Sequence, residues 1–210
     1  MSMEVERLVL VADRGRVRRG AARHEELLGQ LVDVLLSEGF AHLTLDDLAA
    51  RLHCSKRTLY ALAASKEELV RSAVVHFFRT ATGRVEAAVA APAAPAERLV
   101  AYLRAVATEL APASAQFFDD VAAFPPAAEV YERNTRLAAD RVQQVIREGV
   151  AAGVFRQVDA AFTADVLTSM MVRIQQRQVA ASTGLDDAAA YAQLTGLLLR
   201  GLSTGKGALG

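Results

Sequence analysis

Apolar residues recur along this chain at helical spacing, and capping residues divide the pattern into segments. From about Ala21 to Glu38, Leu27, Leu28, Leu31, Val34 and Leu35 mark one face of a helix. Gly39 sits where a C′ glycine ends such a helix. Thr44-Leu45-Asp46-Asp47 fits a capping pattern and opens a short helix with Leu45, Leu48 and Leu52 on one side. Ser55 caps a second short helix, Lys56 to about Leu62, with Leu59 inward. Ser65-Lys66-Glu67-Glu68 is a further capping box and starts a long helix through Leu69, Ala73 and Phe77. Ala91-Pro92-Ala93-Ala94-Pro95 reads as a linker. Beyond it the pattern predicts helices over about 96–110, 114–122, 127–152, 160–181 and 187–203. Pro125-Pro126 marks one boundary, Gly153 ends the following helix, Asp159 is the next N-cap, and Gly201 to Gly210 forms a frayed tail. With no repeats and no alternating strand pattern, the expectation is an all-α chain of nine helices.

Composition agrees with that expectation. Of 210 residues, 52% are hydrophobic, mostly Ala, Leu and Val, and only five are proline, so strong helix formers meet few breakers. Twenty-four basic residues balance 24 acidic ones, and this total decides nothing about nucleic-acid binding, because a local basic surface can be offset elsewhere. Cys54 is the single cysteine, which excludes an internal disulfide and a cysteine cluster for zinc. His24, His42, His53 and His76 show no metal-ligand spacing within one helix. Neither a Gly-rich phosphate loop nor a nucleophile elbow is present, so no cofactor, metal or catalytic residue is expected. No apolar run reaches the roughly 20 residues that span a bilayer. Glu4 and Glu6 precede the short apolar stretch Leu8 to Ala12, unlike a signal peptide, so a cytoplasmic protein without membrane contact is expected.

Two short capped helices joined by a tight turn, the second led by polar and basic residues, have the makings of a helix-turn-helix. In that geometry the second helix enters the DNA major groove, and its first residues meet base edges and phosphates. Ser55, Lys56, Arg57, Thr58 and Tyr60 supply those residues, while Leu59 packs inward. Arg57 can read guanine bidentately or contact a phosphate. Lys66, at the start of the next helix, lies beside free backbone N–H groups that also favour a phosphate.

Residues 21–70 resemble the DNA-binding domain of TetR-family repressors. The resemblance rests on the helix before Gly39-Phe40, on Leu43-Thr44-Leu45-Asp46-Asp47-Leu48-Ala49, on Ser55-Lys56-Arg57-Thr58-Leu59-Tyr60 and on Ser65-Lys66-Glu67-Glu68-Leu69. It implies phosphate contacts at Thr44, Tyr60 and Lys66 and site reading by Lys56 to Tyr60. It also implies a divergent C-terminal domain that binds a ligand and dimerises through its last two helices. Residues Arg147 to Asp159 are similar to a junction often seen in that family. The pattern departs from the family at Ala61, Leu62 and Ala63, where an aromatic or histidine and then a phenylalanine are common, and at His53-Cys54 in the turn.

The expected organisation is two-domain and TetR-like. A flexible basic arm (1–20) precedes a helix-turn-helix DNA-binding domain (21–67), followed by a ligand-binding and dimerisation domain (68–205). Arg14, Arg16, Arg18 and Arg19 suit a minor-groove arm or a merely solvated terminus. Cys54 suits a small buried hydrophobe better than an oxidant sensor. Tyr102, Phe117, Phe118, Phe124, Tyr131, Phe162, Met170 and Met171 gather the scarce large apolar side chains of the second half; they serve either as core or as the wall of a ligand pocket, with Arg173 or Gln175 as polar anchor. The last two predicted helices carry apolar residues on more than one side, among them Phe162, Val166, Leu197 and Leu198, as a homodimer interface needs. The function expected is a ligand-responsive repressor that binds a palindromic double-stranded operator as a homodimer and answers to a small-molecule effector. The alternatives are an all-helical interaction module that keeps the fold without effective DNA binding, and an all-helical enzyme, which lacks a catalytic constellation.

Overall fold

A computed structural model describes residues 22–90 and 93–204. Its helices, in chain order, are α1 (22–38), α2 (Leu45–Arg51), α3 (Lys56–Tyr60), α4 (Lys66–Ala88) and α5 (Pro95–Leu110), then α6 (Ala115–Ala123), α7 (Pro125–Ala151), α8 (Ala160–Gln175), α9 (Gln178–Thr183) and α10 (Asp187–Leu202). The basic tract Arg14 to Arg19 lies outside the described residues, as do 91–92 of the linker and 205–210 of the tail.

The caps sit where the sequence puts them. Thr44, Ser55, Ser65 and Asp159 each accept the backbone N–H three residues on, and Ser114 and Asp186 do the same for α6 and α10. Each such bond satisfies an otherwise orphan donor and contributes about 1 kcal/mol. Gly39 closes α1 with φ 79° and donates its N–H to the Leu35 carbonyl at 2.9 Å.

Two apolar clusters make the core. The first joins α1, α2 and α3 to the front half of α4 and also takes in Phe117, Phe118 and Val121 of α6 and Ala127 and Val130 of α7. Val85, Leu99, Leu103, Val145, Ile146, Leu167 and Ile174 belong to the second, built from the end of α4 with α5, α7, α8 and α10. Helix α4 therefore runs through both. The boundary expected at 67/68 falls at the start of this shared helix, and the front cluster reaches well beyond it.

One expected helix is two. The pattern over 160–181 is broken at Arg177, whose φ of 58° is left-handed, so the described residues hold ten helices rather than nine. That conformation costs a non-glycine residue about 1–3 kcal/mol, and the Arg177 side chain offsets it. Its guanidinium donates to the Ala113 carbonyl at 2.9 Å and pairs with Asp187 at the start of α10. A second departure is the length of α3, which ends at Tyr60 instead of Leu62.

Candidate nucleic-acid interface and internal cavity

Helices α2 and α3 owe their relation to a turn that a side chain would ordinarily resist. His53 takes φ 47°, while its neighbour Cys54 donates its N–H to the Ala49 carbonyl at 3.0 Å. Cys54 is half-buried against the front cluster, and burial pushes its thiol above the usual range, away from a reactive thiolate. Leu48 and Leu59 are fully buried and lock the two helices onto α1 and α4. With Leu59 inward, Ser55, Lys56, Arg57 and Tyr60 face solvent; Tyr60 is 54% exposed, unusual for so large an apolar ring.

The polar groups around this turn share one neighbourhood, the start of α2. Thr44 and Asp47 close a full capping box there, the Thr44 N–H donating to the Asp47 carboxylate at 2.8 Å. Lys56 Nζ stands 2.7 Å from Asp46, and the hydrogen bond that the carboxylate accepts from the ammonium holds the lysine pKa above its ordinary range. Lys66 Nζ donates to the Ala41 carbonyl at 3.1 Å, three residues before Thr44. Arg57 is exposed and has no acidic partner among the described residues.

Behind this element, Asp120 of α6 holds the α1–α2 loop. Its Oδ2 accepts the N–H of Phe40 at 2.5 Å and of Ala41 at 2.7 Å, while Oδ1 accepts from the Gln116 amide at 2.7 Å. Burial works to raise the Asp120 pKa, but the backbone donors of Ala41 and Phe40 and the Gln116 amide outweigh it and hold the carboxyl below its usual range. Gly39 is required for the approach: a Cβ there would lie 2.6 Å from Asp120 Oδ2 and from Gln116 Cγ. The sequence pattern did not reveal Asp120; an acid among apolar neighbours in a short helix was the available sign.

Between α4, α5, α7 and α8 lies a cavity of about 390 Å³ that reaches solvent past exposed Leu137 and Asp140. Tyr102 lines it as expected, together with Tyr131, Met171 and Gln175. Burial pushes the Tyr102 phenol up to about 12, so it stays protonated. Tyr131 donates to Gln175 Oε1 at 2.6 Å, and the Gln175 amide donates to Tyr191 at 3.2 Å.

The other expected pocket residues stand elsewhere. Phe117 and Phe118 are buried in the front cluster, their ring centroids 5.4 Å apart, and Phe117 lies edge-on to Phe40 and Phe77. Phe124 packs on Phe40 at 6.1 Å and lines a smaller recess of about 210 Å³ beside Lys66 and Asp120. Met170 is half-buried away from the cavity, and exposed Arg173 donates to Gln178 at 3.3 Å. The cavity face of α4 was not foreseen, although Phe78, Thr82, Val85 and Glu86 line it at helical spacing.

Comparison with known proteins agrees with these two regions. The family described as "Bacterial regulatory proteins, tetR family" matches residues 27–73, and "Tetracyclin repressor-like, C-terminal domain" matches residues 92–176. A DNA-binding transcriptional repressor TetR of Mycobacteroides abscessus is 36% identical over 58 residues, 28% of this chain and 30% of that protein. The match thus spans less than a third of that relative. Among solved structures, a protein described as a transcriptional regulator from Saccharomonospora viridis, in complex with choline, superposes with a TM-score of 0.75 at 18% identity, covering 87% of this chain and 98% of that one. AibR in complex with isovaleryl coenzyme A and operator DNA gives 0.63 at 18% identity, covering 84% and 98%. At such identities the likeness is one of fold.

Proposed function

Because the chain belongs to the tetR family of bacterial regulatory proteins, we propose that it is a transcriptional repressor, with the α2–α3 element reading operator DNA and the α4–α8 cavity receiving a small-molecule effector. The observation that carries this reading is the sorting of side chains around the turn. Leu48 and Leu59 are buried, while Arg57 and Tyr60 project from α3 with Thr44 and Lys66 close by. Arg57 reads a base edge, and Thr44, Tyr60 and Lys66 hold phosphates. Lys56 joins them by exchanging Asp46 for the nucleic acid.

A homodimer completes the reading. Phe162 is 69% exposed on α8 and Leu197 63% on α10, with Val166 also outward. Such an apolar face calls for a partner, and a second copy packing α8 and α10 into a two-fold four-helix bundle supplies it. Two-fold symmetry matches a palindromic operator, whose half-sites lie about one DNA turn apart. The expected location is the cytoplasm, where the DNA is. Relatives solved with choline, and with isovaleryl coenzyme A and operator DNA, support the pairing of a ligand site with a DNA-reading element.

The test is selection of bound duplexes from a random pool, followed by gel shift on the recovered sequence. Recovery of an inverted repeat, bound by two copies, is expected. Retention of no sequence above background overturns the DNA reading and favours an interaction module on the same fold.

A further inference from the structure

The lining of the α4–α8 cavity has a sign. It carries three carboxylates, Glu86, Glu109 and Asp140, against one guanidinium, Arg141. Arg141 pairs with Glu86 at 3.1 Å, and Glu109 pairs with Arg84, which is not part of the wall, at 2.8 Å. Asp140 has no basic partner among the described residues. Burial, and after it the nearby Glu86 carboxylate, raise the Tyr102 phenol pKa, against the opposing effect of Arg141.

A second observation points to a ligand independently. Tyr102 is 5% exposed and lines the cavity, yet its hydroxyl makes no hydrogen bond among the described residues. Half-buried Tyr131 and buried Tyr191 are both satisfied through Gln175. The Tyr102 oxygen is not sealed off, and Arg98 Nε is the enclosed polar atom without a partner among the described residues, so a water or ligand in the cavity can bond the phenol. Phe78 and Tyr131, whose ring centroids lie 5.9 Å apart, add π faces that attract positive charge. Val85, Val106, Leu110 and Met171 give the wall an apolar part, beside neutral polar groups such as Thr82, Asn134 and Gln144.

Resting on the reading of this cavity as the effector site, we infer that the effector is an organic monocation: an amine protonated at neutral pH and carried on an apolar alkyl or aryl body. The ammonium group donates to the Tyr102 hydroxyl oxygen and lies within the field of Glu86 and Asp140, its charge faced by the rings. The body fills the space against Val106, Leu110 and Met171. A carboxylate of the same shape meets the surplus of negative charge and is refused.

Three probes of matched shape separate the charge from the body: phenylpropylamine, phenylpropanol and phenylpropanoate. Binding to the full-length protein is measured by calorimetry at neutral pH. The amine is expected to bind at least about tenfold tighter than the alcohol, with the carboxylate weakest. Glu86→Gln, which frees the Arg141 guanidinium, should shrink or invert that order, and Asp140→Asn should shrink it. Tyr102→Phe should cost the amine more than the alcohol. Ala138→Trp, which fills the cavity from α7, should abolish binding of all three while its circular dichroism stays native. If the alcohol or the carboxylate binds as tightly as the amine and Ala138→Trp still blocks it, the cavity is a ligand site and the cation class is wrong. Binding that survives Ala138→Trp places the site elsewhere. No binding by any probe at about 1 mM overturns the cavity reading along with the cation.

Discussion

Removing the Asp120 carboxylate tests whether α6 holds the DNA-binding end in place. In Asp120→Ala the N–H groups of Phe40 and Ala41 lose their acceptor in a partly buried loop. Each stranded donor costs about 1–3 kcal/mol, so the loss is about 2–6 kcal/mol. Asp120→Asn is milder. Its carbonyl oxygen can still accept both N–H groups, and Gln116 can turn its amide to accept from the new NH₂. Only the charge assistance disappears, about half the strength of each bond, so the loss is about 1–2 kcal/mol. For a chain of this size each kcal/mol moves the melting temperature by about 2–4 °C.

Urea unfolding at fixed protein concentration and several pH values reads both the size and the cause. The Asp120 pKa is depressed in the folded protein by its three donors, against the opposing effect of burial. Its contribution is therefore complete above the unfolded value, about 4, and is lost as pH falls through the lower folded value. The gap between wild type and Asp120→Asn should be constant near neutrality and close in acid. A loss below about 0.5 kcal/mol in Asp120→Ala, within the range of an unremarkable surface change, would refute the reasoning. A gap that widens in acid would refute its electrostatic part.

Further expectations concern DNA contact, assembly and helix glycines. Lys66→Ala should weaken binding to every sequence alike and flatten the log–log salt slope by about 2 in a dimer, whereas Arg57→Ala should relax one position per half-site at about 1–3 kcal/mol; titration against operator and scrambled duplexes separates them. Leu197→Glu on the exposed face of α10 should leave the fold intact and yield monomers at micromolar concentration by light scattering, with DNA affinity lost in step. Gly149 and Gly83 should respond oppositely to alanine. A Cβ at Gly149 meets the Phe155 ring at 2.1 Å, so overpacking of about 1–3 kcal/mol exceeds the gain in helix propensity, while at Gly83 nothing lies within 4 Å and the gain of about 0.5–1 kcal/mol should appear undiminished in thermal melts.

How far the sequence is legible depends on whether the cause of a feature is local. Thr44, Ser55 and Ser65 announce their helices because each bonds a backbone donor three residues away. The turn residues and the inward Leu59 follow from the same short-range geometry, which is also enough to nominate the polar side chains of α3 as the DNA-reading ones. Arg177 lies beyond that reach. Its left-handed backbone is held by Ala113, 64 residues back, and by Asp187, so the pattern from Ala160 onward still reads as one helix. The pocket was legible in Tyr102, Tyr131, Met171 and Gln175, and the phenylalanines of the same group fall elsewhere for a related reason. Phe117, Phe118 and Phe124 are as apolar as any cavity wall, but α6 lies against the α1–α2 loop, and its rings meet Phe40 and Phe77 instead. Which face of α4 meets α6 and which meets the cavity is set by packing between elements distant in the chain, and periodicity is blind to it. The same blindness hid the acids: Glu86 and Glu109 look like ordinary surface charges until α4 and α5 bring both to one wall. Asp120 shows the consequence most directly, since the group that ties α6 to the α1–α2 loop contacts residues 79 and 80 positions away. Local rules reach the capped helices of the helix-turn-helix, but the contact that ties its loop to α6 exists only in the assembled fold.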